Sequence, residues 1–133
     1  MLIDCRLVER VSGRMVVERL ELADGYWSRL VGLQFRRSLP VGQALLLVPC
    51  GSVHTCWMRF AIDIAALDRE GRVLAVRSGI APWRAALLPR ETHAVLESSA
   101  HSLQLAVGDM LAAESTAPGA SLPKALQALQ SGR

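Results

Sequence analysis

Ile62-Asp63-Ile64-Ala65-Ala66-Leu67-Asp68-Arg69-Glu70-Gly71-Arg72-Val73-Leu74-Ala75-Val76 is the stretch on which the fold class turns. Its first six residues are apolar but for Asp63, too few for an ordinary helix and suited to a strand buried on both faces. Asp68 to Gly71 has the composition of a turn, and Val73 to Val76 returns, so the segment predicts a β-hairpin. Ala44 to Val48, bounded by Gly42 and Pro49, has the same buried-strand character. Near the N-terminus Ile3, Cys5 and Leu7, then Leu20 and Leu22, alternate with polar residues. Ser12-Gly13-Arg14 lies between these runs, which predicts a second hairpin over residues 3–22.

Helical signals are few. Asp24 is placed to cap a short helix with Tyr26, Trp27, Leu30 and Val31 on one face, ending between Gly32 and Phe35,. Ile80 to Pro89, with two prolines, reads as a loop, and His93 to Glu97 as a strand. Ser98 or Ser99 could cap a helical turn through Leu103 and Leu105, and Gly108-Asp109 opens a final strand through Leu111. The pattern is that of a mostly β, β-rich α+β domain over residues 1–114. Residues 115–133 read as a flexible linker followed by a short amphipathic tail. Its Leu122, Ala125, Leu126 and Leu129 either dock or fray, because so short a helix is marginal alone.

A chain of 133 residues, half of them hydrophobic and a fifth charged, supports one globular core and no second domain,. Its net charge of +3 is spread thinly, and only Arg36-Arg37 approaches a basic cluster. Nucleic acid is therefore not an expected partner. Met1-Leu2-Ile3 runs directly into charged residues, unlike an export signal, and the longest apolar run is far too short to span a membrane. Three cysteines fit reduced thiols better than a disulfide framework,. The expectation is a soluble, cytoplasmic protein, most simply a monomer.

Val53-His54-Thr55-Cys56-Trp57-Met58-Arg59-Phe60-Ala61-Ile62-Asp63, followed by the Asp68 to Gly71 turn, resembles a family of small bacterial and archaeal proteins known as domain of unknown function 192. Arg29-Leu30-Val31-Gly32-Leu33, Val95-Leu96-Glu97 and Gly108-Asp109 match in the same order, so the resemblance spans residues 5–114. It implies a compact, β barrel-like domain with one or two short helices, and it implies no activity, cofactor or catalytic residue. Many relatives begin with an export signal or lipoprotein segment, which is not seen here. The tail also lies outside the family pattern.

Asp63 between two isoleucines is the polar residue hardest to bury without a partner. Arg59 or His54 could pair with it, or its carboxylate could accept backbone N–H bonds. Glu97 poses the same problem on its own strand and is expected near Asp63. Cys50, His54 and Cys56 form the one cluster resembling metal ligands. The spacing is wrong for a CxxC zinc knuckle; His54 and Cys56 on an extended strand could chelate with Asp63 or His93, but free cysteines are more often simply buried, so no metal or other cofactor is expected. Trp57 and Trp83 suit packing or the rim of a site, Trp83 because Pro82-Trp83-Arg84 lies on the predicted loop.

These residues favour a noncatalytic binding domain whose polar pocket is built from His54, Arg59, Asp63 and Glu97 and rimmed by Trp57 or Trp83. A small polar or anionic ligand, or a peptide end, would suit Arg59. One alternative is a hydrolase-like enzyme with His54 as general base oriented by Asp63. Another is an accessory protein that docks on a partner through its tail.

Overall fold

The central hairpin forms where the sequence places it. The computed structural model describes residues 2–129, apart from the side chains of Tyr26, Trp27 and Val31. In it β7 (Ile62–Leu67) is buried along its whole length and pairs antiparallel with β8 (Val73–Ile80). Asp68 Oδ1 accepts the backbone N–H groups of Glu70 and Arg72 at 2.8 and 2.9 Å, closing the turn. Gly71 adopts φ +89°, and a Cβ there would stand 2.5 Å from the Leu111 carbonyl oxygen. Only glycine fits.

On its other edge β7 pairs with β10 (Ala94–Ser99), which in turn pairs with β5 (Gln43–Leu47). These three strands have protein on both faces, which explains their unbroken apolar runs. β5 runs parallel to β4 (Arg19–Ala23), and β1 (Leu2–Ile3) completes a six-stranded sheet in the order β1-β4-β5-β10-β7-β8. The parallel pair needs a crossover. It is supplied by α1 (Tyr26–Val31) and the loop after it.

The predicted N-terminal hairpin is present and is shared between two sheets. Its outer halves, β1 and β4, belong to the large sheet, while β2 (Cys5–Glu9) and β3 (Met15–Val17) pair in a three-stranded sheet with β11 (Leu111–Ser115). A register shift between Leu7 and Val8 accompanies the passage, as expected where a bulge bends a strand. The third sheet pairs β6 (Val53–His54) with β9 (Ala85–Ala86), a short strand inside the region read as loop. Among the described residues none of the three sheets closes on itself.

Strand alternation sorts the core into two layers. Leu46, Ala65, Leu67 and Leu96 face the three-stranded sheet and meet Leu7, Val17 and Leu111. Leu45, Leu47, Ile62, Ile64 and Val95 face the opposite way, against Leu33, Leu39, Val53 and Met58.

Two local expectations change. The cap of α1 is Gly25, whose N–H is held by Ser28 Oγ at 3.1 Å, and not Asp24. No helical turn follows Ser98. Ser98 and Ser102 share a 2.6 Å hydroxyl hydrogen bond instead, and the N–H groups of His101 and Leu103 turn to Asp63. The face expected from Tyr26, Trp27 and Val31 lies outside the described side chains.

Of the two fates open to the tail, the structure shows docking up to residue 129; residues 130–133 lie outside the described part. Lys124–Leu129 forms a 3₁₀ helix, and Leu122, Leu126 and Leu129 are buried in the first core layer. The apolar face that a partner would need is occupied by the chain's own core. Leu126→Ala should therefore cost about 2–5 kcal/mol, as for other fully buried leucines, and deletion of residues 116–133 more. Urea melts of both variants measure this, and an unchanged midpoint would remove the tail from the core.

Candidate functional site

Asp63 is a structural anchor. Its side chain is fully buried on the β7 face that looks toward the three-stranded sheet. Oδ1 accepts the N–H groups of Gly79 and His101 at 2.8 and 2.9 Å, and Oδ2 that of Leu103 at 3.1 Å. Arg59 is exposed, and among the described residues it forms no ion pair with Asp63. The pair suggested by their spacing is therefore replaced by main-chain bonds. Glu97 does not lie beside Asp63 either. It is paired in register with Ile64, while Ser98 pairs with Asp63, so the two carboxylates face opposite sides of the sheet,.

Thr55 organises the segment after β6. Buried and central, it takes the Arg84 N–H on Oγ1 at 2.8 Å and donates that hydroxyl to the Ala81 carbonyl at 2.7 Å. Its own carbonyl accepts the N–H groups of Met58 and Trp83 at 3.1 and 3.0 Å. These bonds bring Trp57 and Trp83 edge to face, 4.8 Å between ring centroids, with Phe35 6.0 Å from Trp57. All three rings are more than half exposed, and all three backbones are left-handed, with φ of 64° to 67°. A bulky residue in that region is strained, and such strain tends to persist where a surface has a task.

Beside this cluster lies a cavity of about 210 Å³ between the end of α1, β5, β6 and β10. Arg29, Cys50, His54, Met58 and Glu97 contribute to its wall over a base of Leu33 and Leu47. Phe35 and Trp57 adjoin it through their chain neighbours Gln34 and Met58. His54 and Glu97 thus share one cavity, which Asp63 and Arg59 do not line. Arg29, Gly32, Phe35 and Thr55 were not singled out from sequence. Arg29, Gly32 and Thr55 did fall inside the motif segments.

Glu97 is the unusual group of this cavity. Only 5 % of it is exposed, and among the described residues it has no hydrogen-bond partner. Burial pushes its carboxyl up to about 7, against a weaker opposing pull from Arg36,. Arg36 itself is clasped by both Glu21 oxygens, which holds the Glu21 carboxyl below its usual range. Arg29 donates to the Pro49 carbonyl at 3.3 Å. Gly32 faces the carboxylate, and a Cβ there would lie 3.7 and 3.8 Å from its two oxygens.

Nucleophilic chemistry finds little support in this arrangement. The Cys50 thiol donates to the Ser52 carbonyl at 3.1 Å, and burial raises its pKa, so it stays protonated at neutral pH,. Asp63 cannot orient His54, because its oxygens are committed on the far face of the sheet. Among the described residues no three His, Cys, Asp or Glu side chains gather to hold a metal ion. No helix there is long and apolar enough to cross a membrane.

Comparison with known proteins agrees with the fold. The model of domain of unknown function 192, described as an uncharacterized ACR, matches residues 7–113. A crystal structure of a protein of unknown function from Novosphingobium aromaticivorans superposes with a TM-score of 0.72 at 23% identity, covering 83% of this chain and 84% of that one. A second, described as a "putative transcription regulator" from Sinorhizobium meliloti, gives 0.73 at 22% identity, covering 85% and 94%. No curated protein matches the sequence.

Asp63 and His54 should answer differently to mutation. Asp63→Ala strands three backbone N–H groups and should destabilise by at least about 3 kcal/mol, while His54→Ala, on an exposed residue, stays within about 0.5 kcal/mol. Thermal melts that reverse this order would make His54 the core residue. Glu97 predicts a pH effect of definite sign. Its folded pKa lies above the ordinary Glu value, so between about pH 4.5 and 7 the native state holds a proton that the unfolded chain has released,. Stability is therefore lost as pH rises through that window, by about 2–3 kcal/mol between pH 5 and 8. Urea midpoints at the two pH values should show this slope in the wild type and lose it in Glu97→Gln.

Proposed function

We propose, from the premise that this chain belongs to the family of domain of unknown function 192, that it is a noncatalytic domain binding a small polar ligand in the Glu97 cavity. One observation carries the reading. A glutamate only 5 % exposed, whose carboxylate opens onto a cavity and has no partner among the described residues, costs the fold free energy,. Folds tolerate such costs mainly where a site needs the group. The strained aromatic cluster next to the cavity supports the same interpretation.

The ligand is small, or is the end of something larger, because 210 Å³ lies below the usual range for drug-sized ligands,. An anionic ligand held by Arg59 loses its basis, since Arg59 does not line the cavity. The cation that does is Arg29. Nucleic acid is not the partner proposed. The basic residues are dispersed, and Arg6, Arg14 and Arg36 are engaged by Glu114, Asp109 and Glu21,. Three free thiols suit a reducing compartment, and we place the domain in the cytoplasm on that ground,.

Three probes of similar size test the cavity: n-butylammonium, n-butyrate and N-methylacetamide, each titrated into the labelled protein while amide resonances are followed. At least one should shift Gly32, His54 and Glu97 in a saturable way, leaving Asp4 and Glu114 in place. If none of the three perturbs the cavity at tens of millimolar, the binding reading fails.

A further inference from the structure

Resting on that cavity being a binding site, we infer that its ligand presents a primary ammonium group to Glu97. The guanidinium whose charge reaches this carboxylate, that of Arg36, is held elsewhere. Arg36 is clasped by Glu21, and Arg29 donates to the Pro49 carbonyl. A carboxylate left in this state accepts hydrogen bonds at up to about four lone-pair positions, and among the described residues none supplies it a donor,. An ammonium group brings three N–H donors and the missing charge in one compact head.

The cavity shape agrees. Gly32 leaves open the space directly before the two Glu97 oxygens, where any side chain would place its Cβ 3.7 and 3.8 Å from them. Leu33, Leu47 and Met58 offer apolar contact for the body of the ligand. Phe35 and Trp57, next in the chain to the lining residues Gln34 and Met58, carry exposed rings of the kind that attracts cations,. A quaternary ammonium would satisfy the rings but could give Glu97 no hydrogen bond. A free amine and a peptide N-terminus share the required chemistry.

Binding must then be linked to protons. The charged or titratable groups that face Glu97 are Arg29 on α1, Arg36 in the loop after it, Cys50 before β6, and His54 on β6. Ile62 and Ile64 bring none from β7. Ammonium binding favours the ionised carboxylate, so it should expel a proton from Glu97 near neutral pH.

The test titrates n-butylammonium, tetramethylammonium and glycylglycinamide into the full chain by calorimetry and by amide shifts. The expected result is saturable binding of n-butylammonium, no binding of tetramethylammonium, and roughly thirtyfold weaker binding at pH 5.5 than at pH 8. Wild-type titrations at pH 7 in two buffers of different ionisation enthalpy should show release of about half a proton per ligand, a readout that needs no variant. Glu97→Gln should weaken binding at least tenfold and abolish the pH dependence. Glycylglycinamide binding would extend the ligand class to peptide N-termini, and its failure beside n-butylammonium binding would mark a free amine. If tetramethylammonium binds as well as n-butylammonium, or if the pH dependence survives in Glu97→Gln and so belongs to His54, the inference is overturned. It is overturned alone if n-butyrate or N-methylacetamide occupies the cavity and n-butylammonium does not. If no probe does, the binding reading falls with it.

Discussion

The Asp63 carboxylate fastens two separate stretches of backbone to the large sheet. Gly79 lies near the end of β8, while His101 and Leu103 belong to the connection leaving β10, and all three N–H groups converge on the same two oxygens. A carboxylate is suited to this because a charged acceptor strengthens each bond and can serve several donors. With Asp63 pointing to one face, the pleat sends Ile62 and Ile64 to the other, and cross-strand register then sends Glu97 there too. The buried acid that holds the fold and the buried acid that lines the cavity are separated by the thickness of one strand.

Their electrostatic situations are opposite. Asp63 exchanges water for main-chain donors, whereas Glu97, little exposed, faces a cavity with no donor to it among the described residues. The chain contains the means to neutralise Glu97 but directs Arg36 to Glu21 on β4. The aromatic cluster has the same character, since Phe35, Trp57 and Trp83 keep left-handed backbones and exposed rings at a cost that hydrogen bonds around Thr55 offset,. Stability is concentrated in the sheets and relinquished around one opening.

Much of the fold was legible in the sequence because burial imposes periodicity. The apolar runs of β5 and β7, the Asp68 to Gly71 turn and the alternating N-terminal hairpin each left a local signature, and the ordered motifs named the family. What could not be read was long-range. Nothing local says that the N-terminal hairpin divides between two sheets, or that the N–H groups after Ser98 reach Asp63 and so prevent a helical turn. The site was half legible. Unpartnered acids in apolar strands marked Asp63 and Glu97 alike, but which of them faces a cavity depends on register across β7 and β10, which single-strand patterns do not encode. Gly32 and Thr55 were hidden for the same reason, because each matters through what another segment brings against it.

The pairing of β2 with β11 has a consequence for how the protein comes into being. Strands from the two ends of the sequence lie side by side, and the Thr116 N–H reaches the Asp4 carbonyl at 2.9 Å. During synthesis the first hairpin emerges early, yet the face it must cover remains open to solvent until β11 has left the ribosome, and the layer is closed only when Leu126 and Leu129 follow. The nascent chain therefore exposes an apolar surface for most of its translation. Slow closure through such distant contacts is the circumstance in which chaperones bind.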